Sequence, residues 1–365
     1  MPLLVVYNPV CGDRSAKALF DNHVLPLLSQ HNLTPDKVVA TESSGHVGNI
    51  VADFLTSFPD QPISVILGSG DGTLHELINV LNNIPSSKPF PRVHLALVPC
   101  GTANALYSSL FLTSPEDDPV QYKLKSVQAF ISGNHRSVPL NLAISVISPP
   151  RVAPPAKAAP KQFSISAVVA STALHASILH DSEALRETDP TIERFKTAAF
   201  QNITRWYYAT VELFARKGPE VVEVYDPAAS TFVPHESSTE DEPIVDLVGP
   251  FAYFLSTVNV DRLEPAFRIT PKAKDLLQED GTAALDLVMI RPMRDPSYVM
   301  DSEEARKSFA EKIGAVLGAA YQDGAHVNLR YAEDGSITTE GDGPTVVEYV
   351  RCGGWAWEPV SFSCY

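Results

Sequence analysis

The chain has 365 residues, enough for two domains with cores of their own, and its 44% hydrophobic and 19% charged content is that of an ordinary soluble globular protein. A formal net charge of −15 argues against a nucleic-acid partner and against purely electrostatic docking on anionic membrane. No apolar run approaches the roughly 20 residues of a membrane span. The apolar start, residues 1–6, has no basic leader and runs straight into Asn8-Pro9, so it reads as a buried strand and not as a signal peptide. The cysteines, Cys11, Cys100, Cys352 and Cys364, have no metal-ligand spacing, and reduced thiols in a cytoplasmic protein are the expectation.

The first third alternates strand and helix. Residues 3–7 form a strand, Asn8-Pro9-Val10-Cys11-Gly12 a turn, and 16–28 a helix by their apolar spacing. A second strand at 37–41 precedes a helix at 46–58. The apolar run 63–67 is a third strand and ends at Gly68-Ser69-Gly70-Asp71-Gly72. There Thr73 can cap a helix carrying Leu74, Leu77, Ile78 and Leu81 on one side. A fourth strand, 94–98, leads to Pro99-Cys100-Gly101-Thr102-Ala103-Asn104 and a helix from Ala105, and a helix at 120–132 closes the unit. Four such alternations predict a parallel sheet with crossover helices, and in such sheets ligands bind beyond the carboxyl ends of the strands.

After residue 136 the pattern changes. A strand at 138–147 is followed by the proline- and alanine-rich stretch 148–160, and then by a strand at 162–169. Asp189 and Pro190 predict the start of a helix running to about residue 216. Strands are expected at 221–225, 231–233, 251–260 and 283–291, a short helix near 271–278, a long amphipathic helix at 302–320, and a strand-rich tail. The expected fold class is therefore α/β plus β. A Rossmann-like parallel-sheet lobe spans 1–136, and a mainly antiparallel β-sandwich or barrel spans 137–365.

The glycine turns carry the chemistry. Gly68 to Thr73 is a strand, a glycine turn and a helix N-terminus, a ready anion site. A plain phosphate cradle gains nothing from a carboxylate, whereas a phosphoryl-transfer site uses one as a magnesium ligand or as a base for the accepting hydroxyl. No turn contains the Gly-Lys-Ser/Thr of a Walker loop, and Thr73 stands where the dinucleotide fingerprint has its third glycine.

Together, Asn8-Pro9, Ser69-Gly70-Asp71-Gly72-Thr73 with Glu76 and Asn79, and Pro99 to Ala105 resemble the diacylglycerol kinase catalytic domain, and more closely its sphingosine kinase (long-chain base kinase) branch. The resemblance continues more weakly through His175 to Glu183, Leu185-Arg186 and Arg194-Phe195, and through Gly341-Asp342-Gly343. It implies an ATP- and magnesium-dependent lipid kinase that transfers the γ-phosphoryl group to a primary hydroxyl of a long-chain lipid, a sphingoid base or diacylglycerol, as in sphingolipid metabolism. By the same resemblance Asp71 is the general base or magnesium-organising carboxylate. Asn8, Pro9, Gly12, Thr41, Ser69, Gly70, Gly72, Thr73, Glu76, Gly101, Thr102, Asn104, Arg186, Arg194 and Asp342 would face the nucleotide, and Ser177 and Asp181 the acceptor.

The chain departs from the family's pattern in places. Ser177 occupies a position where a carboxylate often pairs with a sphingoid ammonium, and Asp181 is the nearest substitute. Ala173 replaces a glycine, and Pro344 replaces a glutamate, for which Glu340 or Glu348 would have to compensate. Two further readings stay open: a nucleotide- or lipid-binding homologue without kinase activity, and a small-molecule kinase of the NAD-kinase type. The expected partners are ATP, magnesium and a lipid met by transient association with a membrane surface. Cys11 and Cys100 border the nucleotide, and alkylation of at least one in the free protein is expected.

Overall fold

The computed structural model describes residues 1–83, 92–133, 137–148, 161–189, 191–273 and 283–360. The chain divides into two compact units, Met1–Val168 and Val169–Tyr365.

The first unit is built on four parallel strands in the order β2-β1-β3-β4, where β1 is Leu3–Tyr7, β2 Lys37–Ala40, β3 Ile63–Ser69 and β4 Val93–Pro99. Every residue of β1 and β3 is buried, which is why they read as unbroken apolar runs and not as alternating ones. Val5 and Ile66 pack on Phe20, Leu28 and Val127. These come from a helical run, α1 (Ala16–Leu19), a π turn (Phe20–Val24) and α2 (Leu25–Gln30), and from α6 (Pro119–Ser132). The carboxylate of Asp118 caps α6, and Gly133 ends it at φ 64°. The crossover helices α3 (His46–Ser57) and α4 (Asp71–Asn83) lie close together, with Gly48 directly under Val80. The short helix α5 (Ala105–Leu110) follows β4.

The first compact unit runs on past residue 136 to Val168. Strands β5 (Ala143–Ile147) and β6 (Gln162–Ser166) form an antiparallel hairpin. The side chain of Asn79, on α4, holds that hairpin by both edges of one peptide pair. Its Nδ2 donates to the Ile165 carbonyl at 2.8 Å, and its Oδ1 accepts from the Ile165 N–H at 2.8 Å. An amide side chain is thus used as a missing strand, and the hairpin stays with the first unit.

The second unit carries a six-stranded antiparallel sheet, β10-β9-β16-β13-β12-β7, and a three-stranded one, β11-β8-β17. Their strands are β7 (Val169–Thr172), β8 (Ala209–Phe214), β9 (Glu223–Asp226), β10 (Thr231–Pro234), β11 (Val245–Val248), β12 (Tyr253–Thr257), β13 (Leu285–Ile290), β16 (Glu348–Cys352) and β17 (Gly354–Pro359). β14 (Arg330–Tyr331) and β15 (Ile337–Thr338) form a small separate ribbon. The larger sheet is buried on both faces. Phe254, Leu287 and Met289 meet Val211, Leu213 and Leu247 of the smaller sheet, while Leu255, Val288 and Ile290 meet Phe309, Ile313 and Val316. Those last three belong to the long helix α9 (Glu303–Ala320), whose Ser302 side chain accepts from the Ala305 N–H.

One element differs from expectation, and one more lies where the sequence reading assigned none. The helix expected over 189–216 is confined to α8 (Glu193–Asn202), and the remainder is strand β8. Ala209, Val211 and Leu213 are buried while Thr210 and Glu212 are exposed, a period of two that the helical reading overlooked. The segment around His175 is a helix, α7 (Ala173–Leu185). The short helix expected near 271–278 and the proline-rich stretch 149–160 lie mostly or wholly outside the described residues.

Ala173, where the resembled family has glycine, begins α7 at φ 54°. An L-residue there costs roughly 1–2 kcal/mol, partly offset by the freedom a glycine gains on unfolding. Ala173→Gly is therefore expected to raise stability by about 0.5–1 kcal/mol. A denaturation midpoint that is unchanged or lower would contradict the strain.

Asp286 on β13 is fully buried. Its carboxylate accepts from Arg351 Nε at 2.8 Å and from the Tyr349 hydroxyl at 2.5 Å, and the guanidinium lies 4.0 Å from the centre of the Phe232 ring. Asp286→Ala leaves a buried guanidinium without its carboxylate and should cost about 3–5 kcal/mol. The paired change Asp286→Leu with Arg351→Met should cost much less, and urea melts of the two variants compare them directly.

Candidate active site

The carboxyl ends of the four strands bring the glycine turns together. The Asn8 N–H donates to the Gly68 carbonyl at 2.9 Å, the Thr41 N–H to the Tyr7 carbonyl at 2.9 Å, and the Cys100 N–H to the Ser69 carbonyl at 3.2 Å. Asn8, Thr41, the Ser69–Gly70 loop and the Cys100–Gly101 turn therefore lie side by side on one edge of the sheet, as the strand order requires. Glycine is needed at two of these crossings. Gly12 has φ 52°, and a Cβ there would lie 2.3 Å from the Cys100 carbonyl oxygen. A Cβ on Gly101 would lie 2.5 Å from Gly70 Cα. Gly72 differs: a Cβ there meets nothing within 4 Å, so the space beside the first turn of α4 is open.

A polar network ties the turns. Asn8 Oδ1 accepts from the Val10 N–H at 3.0 Å, and Asn8 Nδ2 donates to Thr73 Oγ1 at 3.5 Å. The Ser69 hydroxyl donates to the same Thr73 oxygen. Asn104 closes its own turn, donating to the Gly101 carbonyl at 2.8 Å and accepting from the Gly101 N–H at 3.2 Å. Glu76 accepts from Ser44 Oγ at 2.8 Å and from the Gly45 N–H at 2.9 Å, so its carboxylate fixes the loop before α3.

Asp71 is the centre of this arrangement. It opens α4, and its carboxylate accepts from the Ala105 N–H at 2.6 Å and the Leu106 N–H at 3.3 Å, at the start of α5. A pocket beside it has Leu67, Leu74, Leu97 and Tyr107 as apolar wall and Ser69 and Asn104 as polar lining. Burial pushes the Asp71 carboxyl up to about 6, against the two N–H groups that pull it down. A carboxylate that titrates near 6 is ionised at neutral pH yet basic enough to take a proton from a hydroxyl as phosphoryl transfer proceeds.

The other expected site residues belong to the second unit. Ser177 Oγ and the Tyr207 hydroxyl share a hydrogen bond of 2.7 Å. Asp181 lies one helical turn further along α7, and both its oxygens are engaged, with His180 Nδ1 at 2.9 Å and Asn202 Nδ2 at 2.7 Å. Those bonds, from His180 first and then Asn202, hold Asp181 below the usual carboxylate range. Arg186 is exposed and donates to Glu183 at 2.9 Å, the surface ion pair that the sequence left as an alternative to phosphate binding. Arg194 is buried. Its Nη1 donates to the Thr191 carbonyl at 3.1 Å, and its guanidinium lies 4.5 Å from the centre of the Phe195 ring. Burial first, and the positive charge of Arg186 second, lower the Arg194 pKa, so two guanidiniums repel each other in a way that a bound anion would relieve. Asp342 is exposed. Glu348 is buried between Arg291, at 2.7 Å, and Arg294, at 2.9 Å, so it is committed to an ion-paired cluster and does not replace the glutamate absent at 344.

The residues fit nucleotide and magnesium unequally. The glycine turns and the open N-terminus of α4 suit phosphate. Among the described residues no group of three or more His, Cys, Asp or Glu could hold a metal ion. A single carboxylate, Asp71, matches magnesium brought by phosphates, for which one or two protein carboxylates suffice, and not an all-protein cage.

Tyr207, Ala105, Leu106 and the Ser44–Gly45 loop were not singled out from the sequence as partners. Tyr207 lay within a misassigned helix, and backbone donors carry no side-chain signal. Cys11 and Cys100 are 6% and 5% exposed, so neither presents a thiol to an alkylating reagent, contrary to expectation. A hydrogen bond from Cys100 holds the Cys11 thiol below its usual value and pushes that of Cys100 up. Among the described residues no helix is long and apolar enough to cross a membrane.

Comparison with known proteins agrees with this geometry. Residues 2–140 match the family model of the diacylglycerol kinase catalytic domain. Human sphingosine kinase 2 is 35% identical over 104 residues, 28% of this chain and 15% of that protein. The sphingoid long chain base kinase 5 of Saccharomyces cerevisiae is 31% identical over 130 residues, 35% of this chain and 18% of that protein. The matched stretches thus make up less than a fifth of either relative. A solved structure from Bacillus anthracis str. Sterne, assigned as a diacylglycerol kinase, superposes on 99% of this chain and 87% of its own with a TM-score of 0.52 at 14% identity, a likeness of fold. The family match and the glycine turns fall on the same stretch: residues 2–140 of this chain are similar to the diacylglycerol kinase catalytic domain.

Proposed function

We propose that this protein is an ATP-dependent lipid kinase that transfers the γ-phosphoryl group to a primary hydroxyl of a long-chain lipid. The observation that carries the reading is a carboxylate, Asp71, fixed by the Ala105 and Leu106 N–H groups where three glycine turns meet, at the N-terminus of α4. Neither the match over residues 2–140 nor any single turn requires the lipid; the relatives' acceptors supply that part.

In this reading the backbone N–H groups at Gly70 and Gly72, at the start of α4, hold and orient the phosphates, with the Asn8 and Gly101 turns shaping the cradle and Thr41 and Thr102 beside them. Magnesium-bound ATP supplies the activated phosphoryl group and neutralises its charge. Asp71 takes the proton of the accepting hydroxyl at a carboxylate oxygen. Because the Ala105 and Leu106 N–H groups fix that carboxylate, it need not reorganise as the proton arrives. The acceptor best suited to Ser177 and Tyr207 is an uncharged hydroxyl head such as that of diacylglycerol, because the nearest carboxylate, Asp181, is already engaged with His180 and Asn202.

The second reading, a binding protein without kinase activity, is favoured by one observation: Pro344 stands where a glutamate is expected and Glu348 is bound by two arginines, which leaves the exposed Glu340 to compensate at the late Asp342-Gly343 element. Radiolabelled ATP offered with a panel of diacylglycerol, ceramide and sphingoid base separates the two. Transfer to any lipid is expected, with diacylglycerol above sphingoid base. No transfer to any of them would leave the binding reading standing.

Asp71→Asn should lower lipid phosphorylation at least a hundredfold. The variant should still fold at neutral pH, with the sign fixed by the raised pKa. A carboxyl raised from 3.8 to about 6 by folding contributes stability below about 4 and loses it as pH rises through 6. Removing the ionisation therefore costs nothing at pH 7.5, and the melting temperature should not fall. Wild-type turnover in a folded variant would refute the role assigned to Asp71.

A further inference from the structure

The β5–β6 hairpin has an apolar face of which, among the described residues, only Ile165 is covered. Cross-strand pairing sets Ile144 opposite Ile165 and Val146 opposite Phe163, so these four share one face. Ile165 is buried beside the Asn79 clamp, but Ile144, Val146 and Phe163 are 68%, 51% and 63% exposed. Leu142 and Ile147, next to them in the chain, are 50% and 55% exposed. A two-stranded ribbon with such a face is a poor structure for water alone and marks a contact surface.

Charge identifies the partner. From position 119 to 180 the sequence has no aspartate or glutamate, although the chain as a whole carries −15. The same window holds Lys123, Lys125, Arg136, Arg151, Lys157 and Lys161. Arg136, Arg151 and Lys157 lie outside the described residues; among the described members Lys125 is paired with Asp117 at 2.7 Å, and Lys161 is exposed and directly precedes β6. Apolar side chains in an acid-free, basic stretch fit an anionic lipid surface, where the ring and aliphatic groups enter the interface and the cations meet headgroups. A second copy of this chain fits poorly, because a two-fold contact would set one basic window against another.

We propose that the β5–β6 hairpin is the element by which this protein docks on anionic membrane, with Ile144, Val146 and Phe163 entering the lipid interface. The choice of a lipid surface rests on the lipid-kinase reading, and it corrects what net charge alone suggests: the repulsive −15 is not spread evenly, and this window has the opposite sign. Asn79 then joins two tasks on one helix. α4 begins at Asp71 and, two turns later, grips the docking hairpin through Asn79.

The test uses the full chain and vesicles without ATP or acceptor lipid, so its outcome is independent of catalysis. Flotation is measured with vesicles of phosphatidylcholine containing about a third phosphatidylserine, and with phosphatidylcholine alone. The wild-type chain should float with the anionic vesicles and only weakly with the neutral ones. The triple variant I144S/V146S/F163S should bind at least tenfold more weakly, while F163L, which keeps an apolar side chain, should bind like wild type. Phosphorylation of detergent-dispersed lipid by the triple variant should remain at the wild-type level, which also certifies its fold. Equal flotation of triple variant and wild type would overturn the proposal, as would a wild-type chain that ignores anionic vesicles. A wild-type dimer in sedimentation that the triple variant abolishes would overturn it in favour of a second copy. Loss of kinase activity in every protein alongside intact vesicle binding would sink the lipid-kinase reading and leave the docking element in place.

Discussion

The hydrogen bonds from the Ala105 and Leu106 N–H groups to Asp71 hold the first unit's functional edge together. They fasten the loop after β3 to the turn after β4, across the point where Gly70 and Gly101 pass too closely for any side chain. The same carboxylate satisfies donors at the start of α5 and stands beside open space at the start of α4. Its burial is the consequence of that fastening, and burial is what lifts its pKa toward neutrality. Structure and reactivity therefore have one cause at this residue. Removing the carboxylate tests chemistry, while keeping an acceptor there preserves the turn.

Around that contact the neighbouring polar groups are mostly spoken for. Asn104 closes its own turn, Glu76 holds the Ser44–Gly45 loop, and Ser69, Thr73 and Asn8 bind one another. They shape the cradle, and the N–H groups at the start of α4 remain as the natural phosphate ligands. In the second unit, too, carboxylates that seem free in the sequence are engaged in the fold. Asp181 bridges α7 to α8 through Asn202, Glu348 lies between two arginines, and Asp286 is buried against Arg351. The exposed Asp342 is the exception among those considered.

How legible this was in the sequence depended on what carried the information. The parallel sheet could be read because buried strands make continuous apolar runs and each ends in a glycine turn: 3–7, 63–67 and 94–98 all match observed strands to within two residues at either end. The gathering of Asn8, Thr41, Asp71 and Gly101 followed from strand order alone. The second unit was harder. Residues 204–216 contain both helix formers and a period-two pattern, and sheet pairing decided for the strand. Ser177 could be picked out, but its partner Tyr207 could not, because that contact depends on how α7 lies against a strand thirty residues away. Asn79 was visible as part of a motif, yet its role as a substitute strand edge required the hairpin. The apolar face of that hairpin was hidden by treating 138–147 as one strand and by reading charge only as a sum.

The central claim is that Asp71 is held as a near-neutral base by burial at the meeting of the glycine turns. The direct measurement is the carboxyl titration of Asp71 in the ligand-free protein, followed by carbon NMR of aspartate labelled at Cγ and assigned by loss of the signal in Asp71→Asn. A midpoint near 6 is predicted. A midpoint near 4, the value of an ordinary solvated carboxylate, would contradict the account.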